Sequence, residues 1–139
     1  MVEPDPMKIS RLRELAESVA THAYAPYSNF AVGSAVLASD GRSFSGCNVE
    51  NSSFGLTICA ERSAIFQAIA AGGRPLVAVV IFAGEVDPVP PCGACRQVIS
   101  EFGPDAEVYS FSKSGRSLHW KLRDLLPGAF GPGSLPRIA

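Results

Sequence analysis

Apolar residues recur along the first third of the chain at helical spacing and then at strand spacing. Asp5-Pro6 can cap and open a helix, and Pro26 ends the helical pattern. The Phe30–Leu37 segment is rich in small and β-branched residues, Asp40-Gly41 is a strong turn signal, and Ser43–Val49 follows as a returning strand. The pattern therefore predicts a helix and then a β-hairpin. The apolar face of the helix consists of Ile9, Leu12, Leu15, Ala16, Val19 and Ala23.

The rest of the chain alternates between helical and strand patterns. After a polar loop over residues 50–57, a second helix is predicted from about Cys59 to Ala71, where Gly72-Gly73 stops it. The continuous apolar run Leu76–Phe82 is typical of a central strand covered on both faces. A third helix over 92–102, strands over 108–111 and 118–120, and a short helix over 122–126 follow. This order predicts a three-layer α/β/α fold, with residues 1–139 forming a single domain.

Composition and charge narrow the class of protein. The apolar fraction of 47% and the charged fraction of 18% are those of a globular protein. A net charge of −1 without a cluster of Lys and Arg argues against nucleic acid as a partner. The first seven residues lack a basic, apolar leader, and the longest apolar stretch, Leu76–Ala83, is too short to span a bilayer. We therefore expect a cytoplasmic protein without a membrane segment, whose thiols stay reduced.

Three cysteines have the spacing of a catalytic metal site. Cys92 and Cys95 form a C-x-x-C pair, and Cys59 is the third candidate ligand. Three protein ligands leave an open coordination position, which is how a catalytic zinc is held. Glu61, two positions after Cys59, offers a carboxylate that can transfer protons without binding the metal. Cys59 and Cys92 also fall at predicted helix N-termini, where the helix dipole favours thiolates. Cys47 lies on a predicted strand and is expected to be a small buried apolar residue.

These motifs together resemble the small, oligomeric cytidine deaminases. The resemblance rests on Cys59-Ala60-Glu61 with Pro91-Cys92-x-x-Cys95-Arg96-Gln97, and extends from Pro26-Tyr27-Ser28 through residues 46–51 to Leu125-Leu126-Pro127. It implies the cytidine-deaminase fold, a five-stranded mixed sheet with both metal-bearing helices on one side. It also implies one Zn²⁺ per chain, a homotetramer, and hydrolytic deamination of cytidine and 2′-deoxycytidine to the uridines in pyrimidine salvage.

The same resemblance implies roles for individual residues. Glu61 would take a proton from water, deliver it to N3 of the pyrimidine and later protonate the departing amine, while Arg62 offsets the charge of the thiolates. Asn48 and Glu50 would hydrogen-bond the sugar. The base and nucleoside pocket would be lined by the backbones of Ala60 and Pro91 and by the ring of Phe30. Phe54, where the family commonly has tyrosine, and Phe130 would each complete the site of a neighbouring subunit.

Three alternatives remain open at this stage. The same fold could act on another aminated substrate, such as blasticidin S or a purine, although Asn48 and Glu50 weigh against this. A non-catalytic zinc-binding module would need a closed fourth ligand, and Cys47 is the candidate near the right region. A thiol–disulfide protein could use Cys92 and Cys95, but it would have no need of Cys59 or Glu61.

Overall fold

A five-stranded mixed sheet forms the centre of the protein, with strands in the order β2-β1-β3-β4-β5. A computed structural model describes residues 1–136. The helices and strands are α1 (Pro6–Ala20), β1 (Gly33–Ala38), β2 (Ser43–Cys47), α2 (Ala60–Ala70), β3 (Leu76–Phe82), α3 (Gly93–Phe102), β4 (Glu107–Phe111), β5 (Ser117–Lys121) and α4 (Leu122–Leu125). Two 3₁₀ turns lie at Phe54–Leu56 and Pro132–Ser134.

Strand direction follows from the connections. β1 and β2 form the predicted antiparallel hairpin, and β1 also pairs antiparallel with β3. β3 and β4 are parallel because α3 carries the chain back across the sheet between them. β5 returns antiparallel to β4. The mixed five-stranded sheet that the family resemblance implied is therefore confirmed.

Helices cover both faces of the sheet, and each face has its own apolar core. On one face, α1 packs against side chains that alternate along β1 and β3, including Ala35, Leu37 and Val80. On the other face, α2, α3 and α4 pack against the intervening side chains, including Val36 and Val79. This division follows from the two-residue period of a strand. The three-layer architecture is confirmed, with the helices that follow Cys59 and Cys92 on the same side.

Two glycines allow the helices to lie close to the hairpin. A Cβ atom on Gly33 would lie 1.8 Å from the carbonyl oxygen of Ala16 in α1. On the opposite face, a Cβ atom on Gly46 would lie 2.5 Å from the backbone nitrogen of Ala64 in α2. Only hydrogen fits at either position. Gly46 therefore sets the distance between the sheet and the helix that begins at the candidate metal site.

The chain leaves α1 earlier and enters β1 later than the sequence predicts. The helix ends at Ala20, because the backbone of Tyr24 pairs with the segment that follows β2. The NH of Tyr24 donates to the carbonyl of Asn48, and the NH of Glu50 donates to the carbonyl of Tyr24. Residues 30–32 do not join β1 and are held by a side chain of the candidate site instead. Within residues 1–136, no helix has the length and apolar character needed to cross a membrane.

Candidate metal centre and active site

The three predicted metal ligands come together where two helices begin. Cys59 is the N-cap of α2, and Cys92 is the N-cap of α3, where its sulfur accepts a hydrogen bond from the NH of Cys95. The three Sγ atoms all lie within 4.8 Å of one another, and those of Cys59 and Cys92 are 3.7 Å apart. The helix starts thus bring residues 33 positions apart in the sequence to one point.

This cluster fits a tetrahedral zinc ion with one open position. Two thiolates, each about 2.3 Å from a tetrahedral zinc, are separated by about 3.8 Å, close to the spacing of Cys59 and Cys92. Across residues 1–136, no other His, Cys, Asp or Glu belongs to the cluster. Cys47 is half-buried on β2 and lies outside it. The closed fourth ligand that a non-catalytic module would need is therefore missing from the cluster.

Arg62 contacts the cluster directly. Its Nη2 atom donates to the Cys59 sulfur at 3.3 Å, and this interaction raises the pKa of the guanidinium. The pKa of Cys59 falls to about 5, first because of its interaction with the Cys95 thiol and further because of Arg62. The pKa of Cys95 rises because it is paired with Cys59 and buried. Arg62 therefore lies where it can offset negative charge on the sulfurs, and this role stays a prediction.

Glu61 lies beside the cluster and is not part of it. Its side chain is 5% exposed, on the first turn of α2. Burial raises the pKa of its carboxyl group, and the nearby Cys59 thiolate raises it further. A carboxyl group buried next to a metal site and free of coordination can hold and release a proton there.

A cavity of about 330 Å³ opens onto Cys59, Glu61 and Cys92. This volume falls at the lower end of the range for small-molecule sites. The predicted residues Phe30, Asn48, Glu50 and Ala60 also line it. The remaining lining residues are Ser28, Val32, Thr57, Ile58, Ile81, Val89 and Pro90. The structure thus joins the metal cluster and the residues predicted to bind base and sugar in one cavity.

Pro91 occupies a different place from its neighbour. Pro90 lines the cavity, whereas Pro91 is buried, and its carbonyl accepts a hydrogen bond of 2.9 Å from Nε of Arg96. Arg96 also donates to the carbonyl of Leu125, which ties the loop before Cys92 to α4. The predicted contact between the Pro91 backbone and a base stays a prediction.

Asn48 links β2 to the segment that forms one wall of the cavity. Its Oδ1 atom accepts from the NH of Val32 at 2.9 Å, and its Nδ2 atom donates to the carbonyl of Phe30 at 2.7 Å. The residue is 8% exposed. An amide carries two N–H donors and two acceptor lone pairs, so one donor and one lone pair remain for a ligand.

Glu50, like Asn48, is held by hydrogen bonds to two different atoms of its side chain. One carboxylate oxygen accepts from the NH groups of Tyr27 and Ser28, at 3.0 and 3.1 Å, and the other accepts from the Ser28 hydroxyl. These hydrogen bonds, first among them that from the Ser28 side chain, hold the pKa of Glu50 below its usual value. The carboxylate is therefore kept ionised in the wall of the cavity, where it can accept a hydrogen bond from a hydroxyl group.

The two aromatic residues assigned to neighbouring subunits lie outside the cavity of their own chain. Phe54 is 74% exposed and packs edge to face on Tyr27, with ring centroids 5.7 Å apart. Phe130 is 60% exposed, and its carbonyl accepts from the side chain of Gln97 at 2.9 Å. Neither ring contributes to the cavity within one chain.

Several lining residues escaped the sequence analysis as site residues. Ser28 belongs to the Pro26-Tyr27-Ser28 motif, but nothing in the pattern shows that it would face Glu50. Val89 and Pro90 lie in a loop that looked like a connection between a strand and a helix. The adjacent prolines before Cys92 are the signal that could have marked this loop as a wall of the site.

Comparison with known proteins identifies a family for this chain. The sequence model for the cytidine and deoxycytidylate deaminase zinc-binding region matches residues 6–111. The cytidine deaminase of Sporosarcina psychrophila is 43% identical over 134 residues, which cover 96% of this chain and 98% of that protein. That of Mycobacterium tuberculosis is 45% identical over 126 residues, 91% of this chain and 92% of that protein.

The fold agrees with the sequence matches. The crystal structure of cytidine deaminase from Burkholderia pseudomallei superposes with a TM-score of 0.83 and 48% identity, covering 87% of this chain and 98% of that one. Sequence, fold and the three-cysteine cluster thus point the same way, and this chain belongs to the cytidine and deoxycytidylate deaminase family.

Proposed function

We propose that this protein catalyses the zinc-dependent hydrolytic deamination of cytidine and 2′-deoxycytidine. The observation that carries the proposal is the cavity itself. It joins a cluster of three cysteine sulfurs with an open side to a buried carboxyl group that is not part of the cluster. The names of the relatives support the same reaction, since those described above are cytidine deaminases.

Cys59, Cys92 and Cys95 hold the metal, and Glu61 moves the protons. Zinc bound there supplies Lewis-acid activation of a water molecule as the nucleophile. Glu61 accepts a proton as the C–O bond to C4 of the base forms, and it delivers a proton to N3. The Glu61 carboxylate then takes the proton of the new C4 hydroxyl and passes it to the amine, so that the C–N bond breaks with formation of the C4 carbonyl and release of ammonia. Burial of Glu61 keeps bulk water from competing for these protons.

The remaining lining residues hold the nucleoside. Phe30 provides an apolar wall, and the backbone of Ala60 faces the base. The proposed contact between the base and the backbone of Pro91, which does not line the cavity, rests on the family resemblance alone. Asn48 and Glu50 bind the sugar through the donor and acceptor capacity that their own backbone contacts leave free. Asn48 is hydrogen-bonded to Phe30, and Glu50 is hydrogen-bonded to Ser28. The residues that bind the base and those that bind the sugar therefore form one side of the same cavity.

We further propose a cytoplasmic homotetramer of single-domain subunits. The exposure of Phe54 and Phe130 supports this assembly, since two large apolar rings outside their own cavity are available to a neighbour. The single sheet with a core on each face supports one domain. Unpaired thiols in the part of the chain that the structure describes are compatible with a reducing compartment.

The test is a metal assay combined with the loss of ultraviolet absorbance on cytidine. We expect one zinc per chain and turnover of cytidine and 2′-deoxycytidine at similar kcat/KM. Activity confined to blasticidin S or a purine would replace the substrate assignment and leave the zinc chemistry in place. A metal-free protein with a reversible Cys92–Cys95 disulfide and no deaminase activity would overturn the proposal.

A further inference from the structure

Ser28 lies in the segment between α1 and β1, and its side chain lines the same cavity as the metal cluster. It precedes the predicted pocket residue Phe30 by two positions. The metal chemistry assigns no role to Ser28. Its backbone NH and its hydroxyl group both form hydrogen bonds with the carboxylate of Glu50.

The Ser28 hydroxyl has one proton and a fixed direction for it. The NH of Phe30 donates to the Ser28 oxygen at 3.0 Å, which occupies an acceptor position. The hydroxyl proton is then donated to a carboxylate oxygen of Glu50. The other carboxylate oxygen receives the NH groups of Ser28 and Tyr27. Within residues 1–136, no Lys or Arg forms a salt bridge with Glu50. Ser28 is thus a main partner of this carboxylate.

We propose that Ser28 is a positioning residue that fixes the Glu50 carboxylate for recognition of the sugar 3′-hydroxyl. This inference rests on the proposed function, in which Glu50 binds the sugar. The terminal torsion of a glutamate is broad and turns both carboxylate oxygens together, so hydrogen bonds on both oxygens fix it more firmly than hydrogen bonds on one. The Ser28 hydroxyl anchors the second oxygen. It thereby aims the one remaining lone pair of the carboxylate at one place in the cavity.

The test measures kcat/KM for cytidine and for 3′-deoxycytidine in Ser28→Ala and Ser28→Thr. Ser28→Ala should lower the value for cytidine on the order of tenfold, the range for a hydrogen bond to a charged group, and that for 3′-deoxycytidine much less. The ratio of kcat/KM for cytidine to kcat/KM for 3′-deoxycytidine should therefore fall. Ser28→Thr keeps the hydroxyl and should restore the preference. Zinc content should be unchanged in both, and Ser10→Ala, an exposed serine on α1, should match the unmutated enzyme.

A double-mutant cycle separates positioning from a general effect on folding. In a Glu50→Ala background, Ser28→Ala should no longer change the preference, because the group that it positions is gone. If Ser28→Ala does not fold, Ser28→Cys replaces it with a weaker donor. Unchanged preference in the Ser28 variants of an enzyme that does discriminate would overturn the inference. An unmutated enzyme that accepts both nucleosides equally would reject the sugar role of Glu50 and Ser28 together, with the zinc chemistry intact.

Discussion

At the level of single side chains, the polar residues of the cavity are held by the surrounding backbone before any ligand arrives. Asn48 spans the carbonyl of Phe30 and the NH of Val32, and Glu50 receives two backbone NH groups. Their identities could be predicted from the family resemblance. Their internal contacts could not, because these join residues 16 to 23 positions apart through a segment with no regular structure.

Glu61 carries the first prediction. Glu61→Gln keeps the shape and burial of the side chain but cannot exchange protons, so kcat should fall by at least ~10²-fold. Zinc content should stay at one per chain, because Glu61 is outside the ligand cluster. Steady-state kinetics with metal analysis of the same sample makes the measurement. Glu101→Gln, an exposed glutamate on α3, is the control. Near-normal turnover in a zinc-loaded Glu61→Gln protein would contradict the assignment.

The four cysteines allow a matched test of the metal site. Cys59→Ala should lose the bound zinc and the deaminase activity, since it removes one of three ligands. Cys47→Ala should keep both, because the Cys47 thiol lies outside the cluster. Metal content of the two purified variants gives the comparison. Full zinc occupancy in Cys59→Ala would remove that residue from the ligand set.

At the level of helices and strands, the bounds of an element are predicted well where its own sequence pattern determines them, and contacts between distant elements are not. The Leu76–Phe82 strand matches its predicted bounds, because a strand buried on both faces leaves an uninterrupted apolar run. Predicted helix starts at Cys59 and Cys92 are each one residue early, since both cysteines act as N-caps. The close approaches at Gly33 and Gly46 were not predictable, because a glycine in a strand pattern does not show which helix crosses it.

The close approach at Gly46 makes a prediction for α2. Gly46→Ala should destabilise the fold by about 1–3 kcal/mol, the usual cost of overpacking, because the new Cβ meets the helix backbone. It should also weaken zinc binding, since α2 carries Cys59 at its start. Gly33→Ala displaces α1, which bears no metal ligand. Chemical denaturation and chelator competition distinguish the two effects.

Gly133→Ala is the control for the loss of a glycine, because its Cβ would meet nothing within 4 Å. It should leave both stability and zinc affinity close to those of the unmutated protein. Equal zinc affinity in Gly46→Ala and Gly33→Ala would show that the contact with α2 does not position the metal ligands.

At the level of the whole molecule, one chain brings the three cysteines and the cavity together but leaves Phe54 and Phe130 exposed. A site completed by neighbours can be rebuilt from two inactive variants. If the proposed homotetramer shares its sites, coexpression of Glu61→Gln with Phe54→Ala should recover activity over either variant alone, because some sites of the hybrids then combine an intact Glu61 with a neighbour's intact Phe54. Assays of copurified hybrids make the measurement.

Coexpression of Glu61→Gln with Cys59→Ala should recover no comparable gain through Phe54, and it serves as the control. Cys59 and Glu61 both line the cavity of a single chain. Every subunit of such a hybrid therefore still carries a damaged site of its own. Sedimentation of an active monomer at assay concentrations would reject the shared site.

The three-cysteine cluster, which joins two parts of the chain at one metal site, also has a consequence for the abundance of the protein in a cell. An ion that binds only the native fold adds RT ln(1 + [L]/Kd) to the free energy of unfolding. Above the dissociation constant, each tenfold change in free zinc is therefore worth about 1.4 kcal/mol. The unfolded fraction, which proteases remove, would rise as zinc becomes scarce. Enzyme abundance is thereby tied to metal supply even where the rate of each loaded molecule is unchanged.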